Sequence, residues 1–325
     1  MPRPKSGVET KMRVAIFSDL HAVLPAWESF LKSTRAQGVE AYWCLGDVVG
    51  YGPQPIETLR AIRDLIEANR VNRYILGNHD AIAAGLMRTG QIAGTEMTRS
   101  GVNVDAENLT LSHQFQLKQN ALDLLDWLSA KRDSQANPHL GVYLAHGAYI
   151  DPAKHATGNH GHSGRWEYAT KTPLNAATQA REINQWHGDR ALRLALYGHY
   201  HVPSLSRAHL QKMSAENVDF PWNEWITLDN LADSPALINV GSLALPRKQA
   251  DDPRQAHSSY VLLDFDPSSD APPEDIRVQF CTNPYDWRAL VKDKRLFHDL
   301  YIMPDEVLRQ IMNSSLPAGI PNPQS

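Results

Sequence analysis

Five short segments of this 325-residue chain end in residue types that commonly bind metal ions. They are Asp19-Leu20-His21, Gly46-Asp47, Gly77-Asn78-His79-Asp80, Ala145-His146-Gly147 and Gly198-His199-Tyr200-His201. Together they supply carboxylate oxygens, one amide oxygen and four imidazoles besides that of His79. Such a set can hold two divalent cations that share a carboxylate, and two cations can stabilise the attacking and leaving oxygens of a displacement at phosphorus. A lone Asp-x-His or Gly-Asp usually marks a turn or a helix cap, so the prediction depends on the whole set.

The chemistry of these ligands narrows the choice of metal. Imidazole and carboxylate ligation without a thiolate favours Mn, Fe, Zn or Co over calcium or copper(I). His199 and His201 are two positions apart, and Gly198 before them permits close approach of the backbone, so both rings can address one centre. Manganese is one of four candidate metals that the sequence does not distinguish.

Strands and helices alternate in the first quarter of the chain. Residues 13–18, 41–45 and 71–76 are short, apolar runs typical of buried strands, and helical patterns begin at Pro25 and at Pro53 or Pro55. This order predicts a parallel α/β layer, in which ligands bind at the carboxyl ends of the strands. Asp19, Asp47 and Asn78 each follow such a strand, so we expect them on one rim of one sheet.

Later strands extend this α/β architecture. The run Val142–Ala145 leads to His146, and residues 192–197 lead to Gly198. Beyond His201, short strand-like runs predict a second sheet that packs on the first. We therefore expect a single domain over residues 12–312, with a flexible N-terminus (1–11), a mobile tail (313–325) and insertions near 149–165 and 207–235.

Composition excludes several classes of protein. The net charge of −4 gives no electrostatic reason to bind a membrane and disfavours nucleic acid as a partner. The two distant cysteines, Cys44 and Cys281, exclude a disulfide framework and suit a reducing compartment. No apolar run approaches the length of a signal-peptide core or a membrane span. We expect a soluble, cytoplasmic enzyme.

Two of the five segments stand within longer motifs, and a further motif follows later in the chain. Ser18-Asp-Leu-His-Ala22 precedes Leu24-Pro25-Ala26, Gly46-Asp47 lies in Leu45-Gly-Asp-Val-Val-Gly-Tyr-Gly-Pro53, and Asn239-Val-Gly-Ser242 precedes Leu245-Pro-Arg247. With these motifs, residues 12–290 resemble the calcineurin-like metallophosphoesterase superfamily. Within it they are similar to the bacterial YfcE-like and diadenosine-tetraphosphatase-like branch. The resemblance implies the metallophosphoesterase fold, two packed mixed β-sheets flanked by helices in a four-layer α/β/β/α arrangement.

The resemblance also implies two metal sites that share Asp47. The ligands of one would be Asp19, His21, Asp47 and His201, and those of the other would be Asp47, Asn78, His146 and His199. A metal-bridging hydroxide would be the nucleophile, with His79 as transition-state stabiliser or leaving-group acid and Asp80 as the residue that orients His79. Arg247 would contact phosphate.

The substrate stays open at this stage. His160 and His162 lack a preceding strand, so we interpret their segment as a surface loop or substrate lid, and Arg165 in the same region is a candidate phosphate contact. The main hypothesis is hydrolysis of a phosphomonoester or phosphodiester bond in a small phosphorylated molecule or a nucleotide. The alternatives are a non-catalytic binding scaffold of the same fold and a serine/threonine protein phosphatase. A DNA nuclease is disfavoured by the acidic charge.

Overall fold

The computed structural model describes residues 12–95, 98–100, 102–132, 134–137, 140–148, 169–187, 192–246, 257–265 and 275–286. Several predictions concern residues outside these ranges. They are the N-terminus 1–11, the insertion near 149–165, the tail 313–325, His160, His162, Arg165 and Arg247.

The first sheet contains the three strands that were predicted near the N-terminus. Its members are β1 (Met12–Phe17), β2 (Ala41–Cys44), β3 (Arg73–Tyr74), β9 (Trp225–Leu228), β11 (Ser259–Phe265) and β12 (Ile276–Thr282). Their order across the sheet is β3-β2-β1-β11-β12-β9. β1, β2 and β3 are parallel, and β11 joins β1 in antiparallel register. The sheet is therefore mixed, with its parallel half ending at Asp19, Asp47 and Asn78.

The second sheet is formed by the remaining strands. Its members are β4 (Ser134–Asn137), β5 (Val142–Ala145), β6 (Leu194–Tyr197), β7 (Ser204–His209), β8 (Ser214–Asn217) and β10 (Ala236–Asn239). They are arranged in the order β4-β5-β6-β10-β7-β8. β5, β6 and β10 are parallel. Their shared direction brings the residues after β5 and β6 to the same edge of the sheet.

Helices cover the outer faces of the two sheets. They are α1 (Leu24–Ala36), α2 (Pro55–Ala68), α3 (Asn78–Ala83), α4 (Val104–Asn120), α5 (Leu122–Ser129) and α6 (Pro173–His187). α1 and α2 each carry proline in the first turn, where the missing N–H costs nothing. Gly38, with φ of +69°, follows the end of α1. No helix within the described ranges has the length and hydropathy needed to cross a membrane.

Alternation along β1 shows how the layers pack. Val14 and Ile16 point between the sheets and pack with side chains of the second sheet, such as Leu196 and Ile238. Phe17 points the other way, into the core beneath α1 and α2. The outer face of the second sheet packs against α6. The predicted fold class, two mixed sheets flanked by helices, is confirmed.

Residues 207–235, the second predicted insertion, supply strands to both sheets. β8 extends the edge of the second sheet beyond β7. β9 returns to the first sheet and pairs with β12. The Trp225 ring at the start of β9 contacts the guanidinium groups of Arg13 and Arg277, which are 4.9 and 4.8 Å from its centroid.

Candidate metal centre

Five of the seven predicted ligands lie on loops with an uncommon backbone conformation. Asp19, His21, Asp47, His199 and His201 all have φ between +50° and +65°. A side chain with a Cβ atom rarely adopts this left-handed region, and such residues persist where surrounding contacts fix them. Here the contacts join the loops, since Asp19 N donates to Gly46 O and His21 N donates to Asp47 O, both at 2.9 Å. The fold uses strained turns to direct these side chains inward.

A first group of potential ligands comprises Asp19, His21 and His201, all buried. Oδ1 of Asp19 lies 3.0 Å from Nε2 of His201 and 3.8 Å from Nε2 of His21. The two imidazole Nε2 atoms are 3.1 Å apart. Three possible ligand atoms therefore converge within 4.8 Å of one another.

A second group lies beside the first and comprises Asp47, His146 and His199. Nε2 of His146 is 3.1 Å from Oδ2 of Asp47 and 3.2 Å from Oδ1 of Asn78. It is also 4.0 Å from Oδ1 of Asp19, which links the two groups. His199 is half-buried, and its ring centroid is 5.0 Å from that of His146. All seven residues predicted as ligands are thus brought together.

The hydrogen bonds of the histidines favour metal binding. Nδ1 of His21, His146 and His201 lies 3.1, 2.7 and 2.6 Å from the carbonyl oxygens of Val49, Leu45 and Leu245. Since a carbonyl only accepts, each Nδ1 carries a proton and each Nε2 is the ring nitrogen that faces the neighbouring ligand atoms.

In the first group, the atoms that face one another are hydrogen-bond acceptors. Oδ1 of Asp19 is fully buried and accepts no hydrogen bond from the part of the chain that the structure describes. Of the imidazole nitrogens around it, Nε2 of His201 lies nearest at 3.0 Å, and the proton of that ring is on the other nitrogen. Burial lowers the pKa of His21, which keeps that ring neutral. The lone pairs of one carboxylate and two imidazoles therefore point at one place. A divalent cation would be coordinated by these lone pairs.

Charge is compensated differently in the second group. Burial acts to lower the pKa of His146, but the carboxylates of Asp47 and Asp19 outweigh it and raise the pKa to about 9. A proton on Nε2 and a metal ion compete for the same position. The residues present in both groups therefore fit two divalent cations.

His79 lies next to both groups without joining either. Its backbone N–H donates to Oδ1 of Asp47 at 2.9 Å, and its ring lies 5.2 Å from that of His21 and 4.7 Å from that of Tyr51. Nδ1 is 2.7 Å from Oγ1 of Thr110 on α4. Burial lowers the pKa of the imidazole to about 3.

Asp80 does not have the role that the sequence analysis gave it. Its carboxylate is turned away from the His79 ring and accepts hydrogen bonds from one hydroxyl and four backbone N–H groups, those of Tyr74, Asp47, Val48, Val49 and Gly77. Burial and the neighbouring Asp47 raise its pKa to about 6. Asp80 therefore fixes the loop that carries Asp47, because α3 begins at Asn78 and aims residue 80 back at that loop.

Two polar residues of the Asn239-Val-Gly-Ser242 motif donate hydrogen bonds to the loops that carry the predicted ligands. The Asn239 amide donates to Gly198 O at 2.6 Å, and the Ser242 hydroxyl donates to Asp19 O at 2.8 Å. This motif formed part of the family resemblance, but the contacts of Asn239 and Ser242 were not predicted from the sequence. Thr110 was not predicted either, since a lone threonine in a helix carries no local signal.

Comparison with known proteins agrees with this geometry. Residues 12–203, more than half of the chain, match the sequence model of the calcineurin-like phosphoesterase family. A segment of 70 residues, 22% of the chain, is 40% identical to 27% of an uncharacterized protein of Methanocaldococcus jannaschii. Another of 136 residues, 42% of the chain, is 29% identical to 38% of a symmetrical bis(5'-nucleosyl)-tetraphosphatase of Xanthomonas campestris. The matched segments thus span less than half of these curated relatives.

Solved structures resemble the chain over nearly its full length. A metallophosphoesterase from Sphaerobacter thermophilus covers 93% of this chain and 99% of its own, with a TM-score of 0.60 and 22% identity. A hypothetical protein from Pyrococcus horikoshii covers 92% and 96%, with a TM-score of 0.57 and 16% identity. At these identities the likeness concerns the fold.

Proposed function

The chain belongs to the calcineurin-like phosphoesterase family, and we propose that it is a hydrolase that cleaves a phosphoester bond with the help of two divalent cations. The observation that carries the proposal is the pair of adjacent ligand groups, Asp19 with two histidines and Asp47 with two histidines. A non-catalytic scaffold has no need to bury two carboxylates among four imidazoles. The cost of such burial is offset when cations bind there.

Each part of the site has a task in this proposal. The first cation would be held by Asp19, His21 and His201, and the second by Asn78, His146 and His199, with Asp47 between them. When bound, the cations would polarise the phosphoryl group and lower the pKa of water. His79 lies beside Asp47 and is placed to donate a hydrogen bond to the phosphoryl or leaving-group oxygen. Mn, Fe, Zn and Co suit these ligands.

We propose a small phosphorylated molecule, and among these a nucleotide, as the substrate. Support comes from the bis(5'-nucleosyl)-tetraphosphatases to which parts of the chain are 27–29% identical. The acidic net charge of −4 argues against a long polyanionic nucleic acid.

A substrate panel with defined metals tests the proposal. It contains p-nitrophenyl phosphate, bis(p-nitrophenyl) phosphate, a phosphopeptide and dinucleoside polyphosphates, each with Mn, Zn or Co. We expect hydrolysis of a small phosphoester, with losses of at least about 10²-fold in Asp47→Asn and His79→Ala.

Matched variants control for nonspecific effects of these substitutions. Asp64→Asn and His209→Ala alter an exposed carboxylate and a partly exposed imidazole in other parts of the fold, and both should keep wild-type rates. Metal-loaded protein that hydrolyses nothing on the panel would refute the proposal. Preference for the phosphopeptide would favour a protein phosphatase instead.

A further inference from the structure

A hydroxyl group of α4 holds the ring of His79. Oγ1 of Thr110 lies 2.7 Å from Nδ1 of His79, and it also lies 2.8 Å from the backbone oxygen of Ala106, one turn earlier in the same helix. Since a carbonyl oxygen only accepts, the Thr110 hydroxyl donates its hydrogen bond to Ala106 O. The Thr110 oxygen therefore accepts a hydrogen bond from Nδ1–H of His79, and Nε2 is the nitrogen left for other partners.

Packing around the ring leaves it little freedom to rotate. A Cβ atom added at Gly50 would lie 2.7 Å from Nδ1 of His79, so the Gly50 backbone presses against the ring. That backbone is held by α4 as well, because Gly50 N donates to Nδ1 of His113 at 3.0 Å. Thr110 and His113 are three residues apart and share one face of the helix. Both are buried.

Asp80, which follows His79 in the sequence, does not position the His79 ring. Both carboxylate oxygens of Asp80 accept hydrogen bonds from backbone N–H groups of the Asp47 loop and of Gly77. Within the described ranges, the acceptor that Nδ1 of His79 contacts is Oγ1 of Thr110.

We propose that Thr110 is the positioning residue of His79. It fixes the tautomer and the rotation of the ring, so that Nε2 is presented to the phosphoryl or leaving-group oxygen. This inference rests on the proposed phosphoester hydrolysis. Thr110 does not touch the substrate and acts through His79, from a helix that carries none of the metal ligands.

Three variants separate positioning from stability. Thr110→Val keeps the shape of the side chain and removes the acceptor, whereas Thr110→Ser keeps the acceptor. Thr34→Val is the matched control, because Thr34 is also a buried helical threonine whose hydroxyl bonds to the carbonyl four residues back, in this case far from the site on α1. Thermal melting and metal content of each variant are measured first.

Two readouts then follow. One is kcat and KM for the best aryl phosphoester of the panel. The other is an NMR spectrum of the imidazole N–H groups, recorded on zinc-loaded protein whose histidines carry an NMR-active nitrogen isotope. The His79 signal is assigned by its loss in His79→Gln. The spectrum reports the Nδ1 hydrogen bond whether or not the enzyme turns over.

We expect Thr110→Val to lose the slowly exchanging Nδ1–H signal of His79 and to lower kcat by at least about tenfold, part of the 10²–10⁴-fold that a positioned acid contributes. KM and metal content should stay near wild type. Thr110→Ser should retain the signal and most of kcat, and Thr34→Val should change neither. A Thr110→Val enzyme with wild-type kcat, or with the His79 signal unchanged, would overturn the inference.

The two proposals fail in different ways. If His79→Ala is inactive and Thr110→Val is fully active, phosphoester hydrolysis stands and the positioning role of Thr110 falls. If the metal-loaded wild type hydrolyses nothing on the panel, the proposed function falls, and with it the catalytic role of Thr110.

Discussion

Gly198 connects β6 to the two histidines that belong to different ligand groups, and the structure leaves no room there for a side chain. A Cβ atom would lie 2.7 Å from Cβ of Ser18 and 2.9 Å from Oδ2 of Asp19, and closer still to Oγ of Ser18. Ser18 and Asp19 are both fully buried, so neither can swing into solvent. Gly198→Ala should therefore act by collision, since the φ angle of Gly198 lies outside the left-handed region.

The size of the effect follows from these distances. Separations below 3.0 Å must be relieved by moving β6, the Ser18 loop or both, and overpacking of this kind costs about 1–3 kcal/mol of unfolding free energy. The N–H of His199 donates to Oδ2 of Asp19 at 3.0 Å, so the same movement displaces ligands of both groups. A misplacement of about 1 Å in an active site can reduce the rate about 10²-fold. We expect a larger loss of metal occupancy and rate than of stability.

Three measurements test Gly198→Ala: denaturant unfolding, bound metal per chain by mass spectrometry, and kcat on the best substrate. Gly94→Ala is the control, because Gly94 has a φ of +77° but nothing within 4 Å of an added Cβ. It should cost about 1 kcal/mol through backbone strain and leave the metals in place. The double variant Ser18→Gly with Gly198→Ala should recover much of the metal binding. Wild-type metal content in Gly198→Ala, or strictly additive losses in the double variant, would refute the reasoning.

Three further predictions concern Gly77, the bound metals and His113 on α4. Gly77→Ala should lower stability and metal binding more than Gly198→Ala, and no second substitution should rescue it. The added Cβ would lie 2.7 Å from Cγ of Asp47 and closer still to the Asp47 backbone nitrogen. Bound metal and the unfolding midpoint test this prediction. Removing metals with a chelator should lower the melting temperature. Adding Mn at about 100 times its Kd should restore about 2.7 kcal/mol of unfolding free energy, and His201→Ala should show a smaller shift. Equal melting curves with and without metal would contradict this prediction. Burial lowers the pKa of His113 from 6.5 to about 4, so the unfolded chain takes up this proton first as the pH falls. Up to about 3 kcal/mol of stability should be lost between pH 6.5 and 4, and less in His113→Asn, which keeps an acceptor for Gly50; parallel pH profiles of the two proteins would rule this out.

Much of the fold was predictable because its signals are local. The short apolar runs before Asp19 and Asp47 became β1 and β2, and the prolines at residues 25 and 55 stand in the first turns of α1 and α2. The strands beyond His201 were predicted to form the second sheet, but β9, β11 and β12 join the first sheet, and β7, β8 and β10 join the second. The third predicted strand, 71–76, is shorter in the structure and comprises Arg73–Tyr74. β3 lies at the edge of the first sheet, and short edge strands are common because they limit pairing with other chains.

The side chains around His79 were less predictable. The family resemblance implied that Asp80 orients His79, yet the first turn of α3 directs Asp80 toward the N–H groups of the Asp47 loop. Thr110 reaches His79 from 31 residues further along the chain. Contacts between distant residues depend on how α4 packs against α3, and no spacing rule along the sequence contains that information.

The sequence by itself determined the types and order of the ligands and the strand ends that carry them, because hydrophobic periodicity and turn residues act over a few positions. Only the tertiary structure decided which ring nitrogen of His21, His146 and His201 faces the candidate ligand groups, and which residue holds His79. The physical reason is that these features depend on carbonyl oxygens, hydroxyl groups and buried carboxylates brought within about 3 Å by the packing of two sheets and their helices.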